Sequence, residues 1–306
     1  MSASQRRSLG RAALAATVLA IASLAAAPVH AFCRSTTCVG ECGRNADGCK
    51  TQGHPLYWPT MCVGFSLQQN GSVNIDMPIV RGVVQDSFVA WSDRECPEGG
   101  LATMAFTELK DVACHEIEYN PDGANANAVM FEDYKWTYSD SCNTLAKTTV
   151  TYDSETGEIF DADMQMNHAY NELTWTDDYV VFDMQSIFTH EVGHFIGLDH
   201  TLDYDATMNA TYEEGTVFRR TVEADDVGAL CAAYPPERQA ACSPTPRGGW
   251  ISDCGGGVAA ADAGGCNCAG AGAAAGGHGE PRGAWAAGAA VLGLWLASRR
   301  RRDKLL

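Results

Sequence analysis

His190 and His194 stand four residues apart, with Glu191 directly after the first. In a helix that spacing is about one turn, so both imidazoles project from one face and can reach a single ion. Glu191 is one residue on, and its carboxylate falls beside the ion rather than on it. That position suits a base acting on metal-bound water. Gly197 lets the backbone leave the helix, most simply through a left-handed conformation. The chain can then turn and bring back His200 as a third ligand. Three imidazoles with an open fourth position are the layout of a catalytic zinc, not of a closed structural one. The first two histidines and the glutamate alone would recur by chance in roughly one chain in a hundred of this length. The spaced glycine and third histidine make the pattern rarer by several hundredfold, by a rough count of residue frequencies.

These residues need a helix beneath them and a framework around it. The pattern predicts the helix over 182–198 and a second one over 223–234. Apolar residues at 79, 80, 83, 84, 88 and 89 predict another over 77–91. Strands are expected at 61–69, before an Asn70–Gly71 turn, and at 104–109 and 128–131. Segments 145–152 and 158–166 read as a hairpin around an acidic turn at 153–157. Helices mixed with a small sheet imply α+β or α/β, and spacing alone does not decide. The sequence shows no internal repeat.

With 306 residues, 46% of them hydrophobic, the chain can build one sizeable globular domain. Its net charge is -17, from 38 acidic and 21 basic residues. Arg6, Arg7, Arg11 and Arg299 to Arg302 place much of the positive charge at the ends. A nucleic-acid partner is excluded by this balance, because phosphates need a basic face. Thirteen cysteines point to an oxidising compartment. Ten lie in the expected globular block: Cys33, Cys38, Cys42, Cys49, Cys62, Cys96, Cys114, Cys142, Cys231 and Cys242. Their even number suits full pairing, with connectivity left open. Zinc binding by these thiols competes, but the block holds no CxxC pair. Residues 32–54 are too short for a core and read as a stapled hook. Residues 1–31 read as a signal peptide: a basic start, an apolar run, then Val29-His30-Ala31 before Phe32. A Gly/Ala-rich linker, 248–282, carries Cys266-Asn267-Cys268. Segment 283–306 holds an apolar stretch and the arginine cluster. Sixteen helical residues from 283 to 298 would cover about 24 Å, short of a hydrocarbon core of about 30 Å.

The run from His190 to His200 is similar to the HExxHxxGxxH signature of the metzincins. The resemblance implies an α+β, zincin-like domain over 55–247 with a mixed twisted sheet, an active-site helix and a C-terminal helix. It implies zinc on His190, His194 and His200, and Glu191 as the general base of a peptide hydrolase. Met208 then becomes the methionine of the Met-turn beneath the histidines. The short distance to Met208 looks most like the matrixins, although Thr201 stands where they usually carry Ser. By the same likeness Tyr212 lines a specificity pocket and Asp225–Asp226 brace the Met-turn. Peptide substrate would lie extended beside an edge strand near 145–152, on a monomer. His115 and His168 are expected as surface or capped histidines, without a second zinc. No long prodomain is expected before the fold; a latency cysteine from the hook competes with disulfide stapling. Asp153, Glu155, Glu158, Asp161 and Asp163 could hold calcium, the competing reading being a solvated acidic hairpin. The tail resembles the C-terminal sorting signal of myxobacterial surface proteins. That likeness implies a sorting and processing machinery as partner, and export to the cell surface or beyond. A retained tail anchor is the alternative. For the whole chain, the rival to a peptidase is a non-enzymatic surface module with a structural or vestigial zinc site.

Overall fold

The computed structural model describes residues 32–139 and 142–254, with the backbone of 303–305. The expected signal segment 1–31, the Cys266/Cys268 stretch and the apolar segment 283–298 lie outside the described residues. Among the described residues no helix is long and apolar enough to cross a membrane.

A five-stranded sheet carries the domain. After the short β1 (Cys33–Arg34) come β2 (Cys62–Leu67), β3 (Ala105–Glu108), β4 (Ala128–Phe131), β5 (Ala146–Tyr152) and β6 (Ile159–Met166). Their spatial order is β3-β2-β4-β6-β5. The first four run parallel, and β5 closes one edge antiparallel to β6. All six residues of β2 are buried, as expected of a strand covered on both faces.

The two faces are covered differently. Helices α1 (Met77–Val89) and α2 (Met184–Phe195) pack together on the inner face. Phe65 of β2 stacks on Phe88 at 3.9 Å, and Phe88 meets Phe195 edge-on at 5.4 Å. Trp91 donates from Nε1 to the Thr189 carbonyl at 2.8 Å, tying the end of α1 to the middle of α2. The outer face is covered by irregular chain, with Val112, Cys114 and Ala126 meeting Trp250, Ile251 and Cys254. Helices on one face of a mixed sheet make the domain α+β, which resolves the choice that spacing left open.

Short pairs complete the frame. β7 (Leu173–Thr174) pairs with β8 (Phe182–Asp183), β9 (Leu198–Asp199) with β1, and β10 (Thr211–Glu213) with β11 (Asp303–Leu305). Helix α3 (Ala224–Ala233) closes the domain with a capping box between Glu223 and Asp226.

Two expectations change. The helix expected over 182–198 is shorter at both ends, because Phe182–Asp183 and Leu198–Asp199 are spent on strand pairs. The ordered domain does not stop at 247. Cys114 bonds to Cys254, and Trp250 donates to Ser66 Oγ at 3.1 Å, so the chain returns across the sheet. The ten cysteines of the expected block therefore do not close among themselves. The bridges are Cys33–Cys49, Cys38–Cys42, Cys62–Cys242, Cys96–Cys231 and Cys114–Cys254, and Cys142 is disulfide-bonded as well. With the hook cysteines all paired, none offers a thiolate for latency.

Candidate metal centre and cleft

Asp183 starts α2. Its carboxylate accepts from the Ser186 backbone and hydroxyl, both at 2.8 Å. Arg220 forks onto the same carboxylate at 2.9 and 2.6 Å. Tyr212 accepts from the Asp183 backbone at 2.9 Å through its hydroxyl and donates to the Thr216 carbonyl. The start of the helix is thus locked to the segment that follows Met208.

At the other end Gly197 adopts φ +86°, and a Cβ there would sit 2.7 Å from the Leu56 carbonyl oxygen. Both the conformation and the space demand glycine. Every carbonyl from 195 to 198 then finds a partner from outside the helix. Trp58 donates to Phe195 at 2.8 Å, Tyr234 to Ile196 at 2.8 Å, and Ser35 to Gly197 at 3.0 Å. Leu198 receives both the Ser35 hydroxyl and His194 Nδ1, each at 2.9 Å. This turn delivers His200.

The outcome is a triangle of nitrogens. Nε2 atoms of His190, His194 and His200 lie 3.1 Å from one another on every edge. His190 Nδ1 bonds the Thr207 carbonyl at 2.6 Å and His194 Nδ1 bonds that of Leu198. A carbonyl only accepts, so the proton of each ring sits on Nδ1 and the Nε2 lone pair faces inward. Burial, with the charge of His194, pushes His190 well below its usual range and His200 down to about 3. Converging neutral lone pairs call for a cation between them. A tetrahedral zinc with bonds of about 2.0–2.1 Å separates its nitrogens by about 3.3–3.4 Å, so the three rings fit that ion. Among the described residues this is the group of three or more ligating side chains that converges.

Beside it, Glu191 is 1% exposed. Its Oε2 accepts from Thr148 Oγ1 of β5 at 2.5 Å, while Oε1 is buried without a partner. Burial pushes this carboxyl above its usual range, against the pull of His194. Met208 lies under the helix at Gly193, where an added Cβ would come within 2.0 Å of the Met208 sulfur. Asp226 holds the turn, accepting from Thr207 at 2.8 Å and Met208 at 3.0 Å.

The centre opens into a cleft of about 530 Å³ along the free edge of β5. Tyr212 is not among its lining side chains; it is 1% exposed, with its hydroxyl bonded on both sides. The five hairpin carboxylates are not brought together as one cation site. Asp153 accepts from Glu155 and Thr156 in its own turn at 2.8 and 3.0 Å, and Glu158 pairs with Arg247 at 3.3 Å. Asp161 and Asp163 point instead into the buried outer face of β6, each 1% exposed. Away from the centre, His168 is capped by Asp133 at 2.7 Å and His115 meets Gln68 at 3.1 Å.

Sequence reasoning missed Thr148, Ser35, Trp58 and Tyr234, which stand far from the motif in the chain. It also passed over Gly193, whose place between the two histidines was the one available signal.

Comparison with known proteins agrees with this geometry. The chain is 22% identical over 182 residues to a protein of Caenorhabditis elegans named Matrix metalloproteinase-C. That alignment takes in 58% of this chain and 28% of the relative, so the chain spans less than a third of that protein's length. The profile of the Matrixin family, peptidase M10, matches residues 58–235. That match takes in more than half of the chain, from the Trp58 anchor past α3, and on it the chain belongs to the matrixin family.

Proposed function

We propose that this matrixin is an exported zinc endopeptidase that cleaves extended peptide segments laid beside β5. Family membership implies a zinc metalloendopeptidase. The observation that carries the reading to this chain is the unpaired, buried Oε1 of Glu191 next to three converging imidazoles.

Bound zinc would be held by His190, His194 and His200, and supplies a Lewis acid for the scissile carbonyl. The protein's own groups do the rest. Glu191 Oε1 takes a proton from the attacking water and returns it to the leaving amine. Thr148 holds the other carboxylate oxygen, so the base keeps one orientation through both transfers. The free edge of β5 offers backbone donors and acceptors to an extended peptide, which adds as a further antiparallel strand. Met208 and Asp226 keep the histidines in place from below.

Export rests on the basic and apolar start of the chain, its cleavage-like Val29-His30-Ala31, and the disulfides. Surface display and processing near Cys266 and Cys268 rest on the tail pattern alone. Intact mass of the protein from its native host tests that part, and a C-terminus still ending at Leu306 would support a retained anchor instead.

Cleavage of a generic protein substrate, with and without a zinc chelator, together with metal analysis, tests the activity. Chelator-sensitive cleavage with about one zinc per chain is expected. Bound zinc without cleavage would favour a non-enzymatic module.

A further inference from the structure

The stapled hook is part of the cleft. β1 pairs with β9 directly ahead of His200, and Cys33–Cys49 and Cys38–Cys42 clasp the loops beyond it. Ser35, Thr36 and Val39 of the hook line the same cleft as Leu56 and as Val150 and Tyr152 of β5. Val39 is 84% exposed, so it has no packing duty inside the domain. An apolar side chain held in water, in a loop closed by a disulfide and set on the wall of a substrate cleft, is placed for contact with a ligand.

We propose that the hook is the wall of the cleft on the side that precedes the scissile bond, and that Val39 with Val150 and Tyr152 forms a subsite for an apolar side chain there. This rests on the peptidase reading above. The direction follows from the antiparallel addition to β5 proposed above. Thr148 marks the catalytic end of β5, through its bond to Glu191. Val150 and Tyr152 follow it on the same face of the strand. A peptide antiparallel to β5 runs the other way, so the residues opposite 150 and 152 come before the bond that is cut. At one residue per about 3.3 Å, the side chain that meets Val39 lies about two to four positions ahead of that bond.

The test uses the full chain with Val39→Asp. Exposure of Val39 means that folding and zinc content should not change. Peptide libraries varied on each side of the scissile bond are profiled for wild type and variant. The expected result is a fall of about tenfold in kcat/KM for apolar residues in the named window, carried by KM, relative to Lys or Arg there. Selectivity after the scissile bond should stay as in wild type. Superimposable profiles on the preceding side would overturn the proposal. If zinc-loaded wild type cleaves nothing, the peptidase reading has failed. Anisotropy of labelled peptides binding to both proteins then still reads the subsite, and equal affinity of wild type and variant for apolar and basic peptides overturns it.

Discussion

At the scale of single residues, the centre separates holding a metal from using it. Glu191 lies between two ligands in the chain, yet its carboxylate bonds to Thr148 and leaves Oε1 unpaired. Glu191→Ala should therefore keep zinc and lose proteolysis, by at least the ~10²–10⁴-fold usual for a general base. His194→Ala should lose zinc and activity together. Zinc content by atomic spectroscopy and cleavage of a quenched peptide check both; near wild-type cleavage by Glu191→Ala would sink the mechanism. Gly193 matters for a different reason. A methyl group there would meet the Met208 sulfur at 2.0 Å and Trp91 at 3.1 Å. Overpacking of this kind costs about 1–3 kcal/mol, and here the strain falls between His190 and His194. Gly193→Ala should lower both melting temperature and zinc affinity. Unchanged zinc affinity in a competition titration would show that Met208 can move aside freely.

At the scale of elements, β6 shows the same alternation used twice. Ala162, Met164 and Met166 face the core under the helices, while Asp161 and Asp163 face the buried outer side. Asp163 accepts from the Ala128 backbone at 2.7 Å, but Asp161 Oδ1 has no partner. Burial raises both carboxyls well above the usual carboxylate range, and the charge of Asp163 raises Asp161 further. A carboxyl raised in this way binds its proton more tightly in the folded state than in the unfolded one. Its stabilisation is full below the unfolded value of about 4 and is lost as pH rises through the folded range. Melting temperature should thus fall between about pH 5 and about pH 9, and Asp161→Asn should flatten that fall, since the amide cannot ionise. Parallel melting curves for the two proteins across that range would show that the pair does not couple pH to stability.

At the scale of the whole molecule, long-range bridges do what helices alone do not. Cys62–Cys242 and Cys114–Cys254 span 180 and 140 residues and clamp the returning C-terminal segment over the outer face of the sheet. Loops of that length carry the largest chain-entropy effect, and losing a native bridge costs roughly 2–5 kcal/mol. Replacing Cys114 and Cys254 together by Ser should lower the melting temperature by several degrees with the zinc site intact. The disulfides between β1 and the rest of the hook act nearer the chemistry, because Ser35 holds the carbonyls of Gly197 and Leu198. An unchanged melting temperature in the double Ser variant would place the stability of the outer face in Trp250 and its neighbours instead.

The sequence alone determined what depends on local spacing. One helical turn separates His190 from His194, glycine is needed at 197 for a positive φ, and strict patterns placed the hairpin and the three helices within a few residues. It also carried the likeness that named the fold class. Tertiary structure decided whatever joins distant parts of the chain. That Thr148 would hold Glu191, and that Ser35, Trp58 and Tyr234 would satisfy the end of the active-site helix, depends on which elements meet; no local pattern encodes this. Cysteine pairing was open for the same reason, and Cys254 was left outside the domain because glycine-rich composition hid its contact with the sheet. Tyr212 and the hairpin carboxylates show the converse. Their residue types suited a pocket and a cation; in the structure the buried Tyr212 hydroxyl bonds Asp183 and Thr216, Asp161 and Asp163 are buried on β6, and Asp153 bonds within its own turn.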